Sequence, residues 1–256
     1  MKSFVAFIKK EITEQLRSGR FMIITALFIL FGIMNPAVAK LTPMILEIFA
    51  DSFADSGITV TDVTVSALDS WVQFYKNIPI AMIAFVILQS GIFTKEYASG
   101  TLILSLTKGL KLYKALTAKS IVLAGLFTIE YWLCFAITYV YSDFFWDNSV
   151  AQSLGFSVML WWLFGIFVIS LLTLFSTAVT TNTGVLIGTG ATVIISYLIG
   201  FIPRINKYLP SFLTDGTSII YGATEQKEYF AAAIITAAVC VACFSVSIPI
   251  FNKKQL

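Results

Sequence analysis

Six long apolar runs dominate the sequence and restrict the folds that it can adopt. A helix needs about 20 mostly apolar residues to cross the hydrocarbon layer of a bilayer, and each run is close to that length. Hydrophobic residues make up 58% of the chain and charged residues only 12%, unlike soluble proteins. We therefore predict an all-α integral membrane protein with a single transmembrane domain. The predicted spans are residues 21–41, 77–94, 120–142, 154–179, 184–203 and 229–251.

Small features within the runs predict local geometry. Pro36 lies inside the first run, where it predicts a helix kink. Only the polar stretch 180–183 separates the fourth and fifth runs, which indicates a tight helical hairpin. Gly184 and Gly188 favour close helix packing there, with a substrate path as the weaker alternative.

The charges are distributed unevenly along the chain. Twelve of the 17 Lys and Arg residues fall in residues 1–20, residues 95–119 and the C-terminal tail, whereas ten of the 14 acids fall at the other ends of the predicted spans. Because cytoplasmic loops retain basic residues, we predict a multi-pass plasma-membrane protein with both termini in the cytoplasm. The net charge of +3 is the small difference between these basic and acidic segments. It indicates no nucleic-acid partner. The basic segments should instead face the anionic headgroups of the lipid bilayer.

The N-terminal segment, residues 1–20, combines apolar and charged residues in a helical pattern. Its apolar side chains recur every four residues, at Phe4, Ile8, Ile12 and Leu16. Such a stripe is typical of an amphipathic helix in the membrane interface. Two alternatives remain open. The basic leader, the apolar run and the Ala-Val-Ala at 37–39 resemble a cleavable signal peptide, and the helix could also be solvated and await a partner.

Several residue types needed for common chemistry are missing or misplaced. The chain has no histidine, which excludes histidine zinc sites and serine–histidine triads. Cys134, Cys240 and Cys243 all fall inside predicted spans, so neither a disulfide framework nor a redox site is indicated. No glycine-rich phosphate loop occurs, so ATP would have to be bound by another polypeptide. We expect no cofactor on this chain and no enzymatic activity of its own.

Glu130 is a carboxylate near the middle of the third predicted span. A charge at that depth is costly, which makes Glu130 a candidate for the translocation path. A protonated or hydrogen-bonded glutamate that ties helices together is the structural alternative. Its neighbours Tyr131 and Trp132 are better explained as packing or depth anchors.

The segment after the second span carries the motif that resembles a known family. Glu96 is followed by Gly100-Thr101, then by a leucine-rich stretch with Thr107-Lys108, and Ala118-Lys119 opens the third span. In this register the chain resembles the membrane subunits of type-2 ATP-binding-cassette (ABC) exporters, which have six spans and an amphipathic N-terminal helix. It departs from their pattern at Gly109, Lys111 and Leu112, where a Pro-x-Ser-Arg element is typical.

The resemblance implies a mechanism and partners. Two permease subunits, identical or similar, would pair around a central path, and cytoplasmic ABC ATPase subunits would supply ATP and Mg. Residues 95–119 would form a coupling loop with a short helix, on which Lys108, Lys111 and Lys114 share a face. Gly100 would permit a turn, and Glu96 would reach the N-terminal helix. The coupling and ATPase-contact residues would be Glu96, Gly100, Thr101, Thr107, Lys108, Lys111, Lys114 and Lys119.

The external segments and the substrate are less constrained by sequence. Residues 42–76, with five acids, Trp71 and Tyr75, could form a lid or a contact surface. Residues 204–228 resemble the external helices that close the outer gate in the family. The resemblance and the aromatic, mostly uncharged spans favour export of a hydrophobic or amphipathic peptide, antibiotic or lipid-like compound. An ion-gradient transporter that uses Glu130 is the alternative, and a membrane-embedded enzyme lacks the polar residues it would need.

Overall fold

The computed structural model describes residues 2–49, 64–101, 107 and 111–253. Within these ranges the chain forms helices and turns and no strand. Among the described residues, six helical segments are long and apolar enough to cross a membrane, in agreement with the six predicted apolar runs.

The helices follow the predicted order, with some different ends. The second membrane-length segment is built from two consecutive helices, α3 and α4, with Ser90 between them. Short 3-10 turns occupy Asn148–Val150, Pro210–Thr214 and Gln226–Tyr229. The helices are α1 (Lys2–Arg17), α2 (Arg20–Ile48), α3 (Ala67–Gln89), α4 (Gly91–Ser99), α5 (Leu112–Phe145), α6 (Leu154–Ala178), α7 (Asn182–Gly200), α8 (Pro203–Asn206), α9 (Gly216–Ile220) and α10 (Phe230–Asn252).

Helix α3 begins at Ala67, ten residues before the predicted second span. A capping box explains this start, because the Ser66 hydroxyl accepts from the first turn and Asp69 accepts from the Ser66 backbone N–H. Trp71 and Tyr75, which we expected in an external loop, are therefore buried in the helical core. The Trp71 indole donates to Asn148 at 3.0 Å. The expectation that residues 42–76 form one long loop is wrong for its described parts.

Other helix ends also extend past the apolar runs. Helix α2 continues to Ile48 with both Pro36 and Pro43 inside it. Helix α5 begins at Leu112, so Lys114 and Lys119 belong to this helix rather than to a loop. Residues 50–63, which include the acids Asp51, Asp55 and Asp62, lie outside the described residues.

The core lies between α3, α5 and α6. Aromatic rings such as Phe74, Phe85 and Tyr131 fill it in edge-to-face pairs. Gly165 of α6 lets α5 approach closely, because a Cβ there would lie 2.2 Å from the Phe127 ring. Helix α6 is the most buried of the six long elements, and α7 and α10 are among the least.

A buried polar bridge joins α2, α3 and α5 inside the bundle. Asn35 donates to the Thr138 hydroxyl at 3.0 Å and accepts from Asn77 at 2.8 Å. The Thr138 hydroxyl in turn donates to the Gly32 carbonyl at 3.1 Å. These bonds satisfy polar groups that would otherwise be costly to bury.

The two ends of the bundle collect different segments. At the end that we call the α1 end, contacts join α1, α4, the first turns of α5, the turn between α6 and α7, and the last turn of α10. The opposite end holds the segment from Pro203 to Tyr229. This arrangement follows from the alternating directions of the successive long helices, and the short turn at Val179–Thr181 forms the predicted hairpin between α6 and α7. Gly188 packs there against Phe175, as expected for a packing glycine.

Candidate functional site

Five charged side chains meet at the α1 end and form what we call the charged cluster: Lys10, Glu11, Glu14, Glu96 and Lys119. Lys119 lies at its centre and is only 1% exposed. Its Nζ lies 2.7 Å from Oε2 of Glu11 and 3.1 Å from Oε2 of Glu96, the latter an ionic contact without hydrogen-bond geometry. It also donates to the Ile92 carbonyl at 3.2 Å. The cluster thus joins α1, α4 and α5.

Lys10 completes the cluster from its half-exposed edge. It donates to Glu96 and, at 2.9 Å, to Oε1 of Glu11, and it lies 3.0 Å from Oε2 of Glu14. Burial lowers the pKa of Lys10, but the bonds to Glu96 and Glu11 outweigh it, so this pKa is raised. Burial likewise raises the pKa of Glu14, and the bond from Lys10 outweighs it, so this pKa is lowered. Both groups therefore stay charged at neutral pH.

Apolar and amide side chains flank the charged cluster. The rings of Phe7 and Phe93 each lie 5.7 Å from the Lys119 ammonium, within cation–π range. One turn further along α1, the buried amides of Gln15 and Gln89 exchange hydrogen bonds of 2.9 and 3.2 Å. Helix α1 is thereby fixed to the bundle by buried polar contacts.

The buried face of α1 differs from the predicted apolar stripe. Phe7, Glu11 and Gln15 are buried, whereas Ile12 and Leu16 are 45% and 50% exposed. The stripe is therefore divided between an inward face and an outward apolar strip. Periodicity could not find this, because the inward face carries polar groups whose partners are distant in sequence.

The three carboxylates of the cluster are close enough to suggest a metal site. Ligand oxygens of Glu11, Glu14 and Glu96 lie within 4.8 Å of one another. However, the ammonium groups of Lys10 and Lys119 already contact these oxygens. The described geometry is therefore that of an ion-pair network, and the lysines supply the charge that a cation would.

The other described residues of the predicted coupling loop are not among the five that form the charged cluster. Gly100 ends α4 with φ +67°, in the left-handed region that favours glycine, so the expected turn is present. Thr101 is exposed, and Thr107 is a single described residue. Lys111 is exposed with extended backbone directly before α5, so it shares no continuous helix with Lys114. Lys108 lies outside the described residues.

An apolar groove of about 470 Å³ lies between α3, α6 and α7. Ile83, Phe164 and Ile194 are among its lining residues, and Thr189 and Tyr197 add hydroxyl groups. No charged residue lines it. Thr214 contacts two lining residues: its carbonyl accepts from the Trp161 indole at 2.9 Å, and its hydroxyl accepts from Tyr197 at 3.0 Å. Part of the segment 204–228 therefore packs against the walls of the groove.

Glu130 does not line the groove. It lies between α5 and α2, is 1% exposed, and accepts a hydrogen bond of 2.6 Å from the Thr25 hydroxyl. Its second carboxyl oxygen has no hydrogen-bond partner among the described residues. The hydrogen bond joins α5 to α2. This geometry fits the structural alternative given in the sequence analysis, a hydrogen-bonded glutamate that ties helices together.

The charged cluster and the groove lie in different parts of the molecule, and α4 connects the cluster to α3, a wall of the groove. The cluster is thus linked to the uncharged groove through α4 and α3, and no residue of the cluster lines the groove. Comparisons of the chain with protein-family models, with curated proteins and with solved structures find no match.

Proposed function

We propose that this protein is the permease subunit of an ATP-driven exporter in the plasma membrane. The charged cluster is the observation that supports the proposal best. Glu96 opens the Glu-x-x-x-Gly-Thr motif and is buried in ion pairs with α1 and α5. The helix that precedes the predicted coupling loop is therefore held by ion pairs to two other helices, as transmission of force through that loop would require.

The same geometry divides the predicted contact residues into two groups. Glu96 and Lys119 are buried and position the loop from within. Thr101, Thr107 and Lys111 are exposed, and we assign them to the contact with a cytoplasmic ABC ATPase. Lys108, predicted for the same contact, lies outside the described residues. That subunit would bind ATP and Mg, because this chain carries no phosphate loop. A second permease subunit would complete the complex, with both termini in the cytoplasm.

The groove supports a hydrophobic or amphipathic substrate. Its walls are uncharged and mostly apolar, and it is large enough for part of a drug-sized molecule. The Thr189 hydroxyl could donate a hydrogen bond to a polar group on such a compound or accept one from it, and the Tyr197 oxygen, whose hydrogen is donated to Thr214, could accept one. A peptide, an antibiotic or a lipid-like molecule fits these walls better than an inorganic ion.

The experiment that tests the proposal is co-purification. We expect the chain, tagged at the C-terminus and extracted in mild detergent, to retain a near-stoichiometric ATPase identified by mass spectrometry. Lys111→Glu should reduce that recovery about tenfold, because it reverses an exposed charge on the assigned surface. Lys76→Glu, an exposed lysine in α3 near the opposite end, serves as the control. Recovery of the chain alone under several mild conditions would contradict the proposal.

A further prediction concerns the alternative of an ion-gradient transporter, which the position of Glu130 outside the groove disfavours. Glu130→Gln should change transport by less than about twofold, because a glutamine carbonyl can accept the Thr25 hydroxyl just as the carboxylate does. Transport in vesicles with ATP present and ion gradients collapsed by ionophores would measure this. No transport by the unsubstituted protein under these conditions, with transport restored by an ion gradient and lost in folded Glu130→Gln protein, would favour the gradient-driven alternative.

A further inference from the structure

Helix α4 contacts the turn between α6 and α7 on the side away from the charged cluster. The Thr94 hydroxyl donates to the side-chain carbonyl of Asn182, the first residue of α7. The Tyr97 hydroxyl donates to the Ser176 carbonyl at 3.0 Å. Asn182 also lies close along α4, since a Cβ at Gly91 would be 3.3 Å from its amide nitrogen.

This contact matters because α7 forms one wall of the groove. Among the described residues, α7 packs mainly on α6 and, at its far end, on the segment from Pro203 to Thr214. Its first residue is the point at which a side chain reaches α4. A displacement of α4 would therefore act on the near end of α7 while the far end stays fixed by Ser211, whose hydroxyl donates to the Ser196 carbonyl at 3.0 Å.

We propose that the Thr94–Asn182 hydrogen bond is a latch that couples α4 to α7 and thereby sets the width of the groove. The inference rests on the proposed function, because it names the route by which the coupling loop would act on the substrate path. Thr94 and Asn182 are positioning residues, since neither is among the residues that line the groove. The charged cluster holds one side of α4. On the other side, the latch transmits the position of α4 to α7.

The first test measures the groove and needs no ATPase. Spin labels at Ile83 and Ile194, exposed groove residues on α3 and α7, report its width once Cys134, Cys240 and Cys243 are replaced by alanine. Thr94→Val removes the donor with little change of volume, and we expect it to broaden or shift the distance distribution. Thr94→Ser keeps the hydroxyl donor and should give the same distance distribution as the protein with Thr94 unchanged. An unchanged distribution in Thr94→Val would overturn the latch.

The second test measures coupling in the assembled complex. Losing one hydrogen bond should lower substrate transported per ATP by about threefold to tenfold, with the basal ATPase rate nearly unchanged. Thr94→Ser should restore the ratio of substrate transported to ATP hydrolysed. A purely structural defect would instead lower the ATPase rate together with this ratio. Should Thr94→Val fail to fold, Asn182→Ala removes the acceptor from the other side. An unchanged ratio in either variant would overturn the inference.

The two tests also separate failure of the latch from failure of the proposed function. A broadened distribution in a protein that recruits no ATPase would support the latch and contradict the exporter. An intact complex with stimulated ATPase activity, in which Thr94→Val leaves the distance distribution unchanged, would support the exporter and contradict the latch.

Discussion

Lys119→Met should destabilise the protein more than the other single substitutions proposed for it. The change leaves Glu11 and Glu96, which are 2% and 5% exposed, without their central cation. Removing one partner from a buried ion pair costs about 3–5 kcal/mol, because the remaining charge stays desolvated. For a chain of this length, we expect the midpoint of thermal unfolding in detergent to fall on the order of 10 °C.

Two further variants make this prediction specific to the cluster. Lys114→Met removes a lysine five residues earlier on α5, outside the ion-pair network, and should leave the midpoint nearly unchanged. The double variant Lys119→Met/Glu11→Gln removes one of the stranded charges and should recover part of the loss. Equal destabilisation by Lys114→Met and Lys119→Met would show that the ion pairs are not the cause.

Gly190→Trp should block transport without unfolding the protein. A Cβ at Gly190 meets no atom within 4 Å, and the residue lines the groove. An indole there would occupy the space that we assign to substrate, while replacing glycine within a helix carries no propensity cost. We expect the transport rate in inverted vesicles, measured with a fluorescent amphiphile, to drop at least about tenfold.

Gly125→Trp is the matched control for this substitution. Gly125 lies in α5, also has no atom within 4 Å of its Cβ position, and does not line the groove. It should therefore retain transport and the parent unfolding midpoint. Normal transport by folded Gly190→Trp protein would remove the groove from the substrate path.

Hydrophobicity alone predicted the six long helices, because each must supply about 20 apolar residues. It could not predict where α3 begins, since helix outside the bilayer needs no apolar run. The signal was nevertheless present: Ser66 and Asp69 stand at capping-box spacing, and this pattern would have placed Trp71 and Tyr75 inside the helix. Helix-capping patterns can therefore locate helix ends outside the bilayer, which hydropathy does not detect.

The charged cluster could be predicted only in part. The resemblance indicated that Glu96 could reach the N-terminal helix, and the structure places it against Lys10. The sequence assigned Lys119 to a contact surface, whereas the structure buries it between Glu11 and Glu96. Pairings between residues 108 positions apart leave no periodic signal, so no pattern along the chain identifies them. The same reason hides the Gln15–Gln89 pair.

The sequence separation within the cluster also has a consequence for biosynthesis. Glu11 emerges from the ribosome early, but its buried partner Lys119 is synthesised 108 residues later, when the third span begins. Until then, the docking site of α1 is incomplete. We therefore expect nascent chains in which Lys119 has not yet left the ribosome to leave this helix open to protease, and longer chains to protect it. The order of translation makes the third span the element that completes the N-terminal attachment.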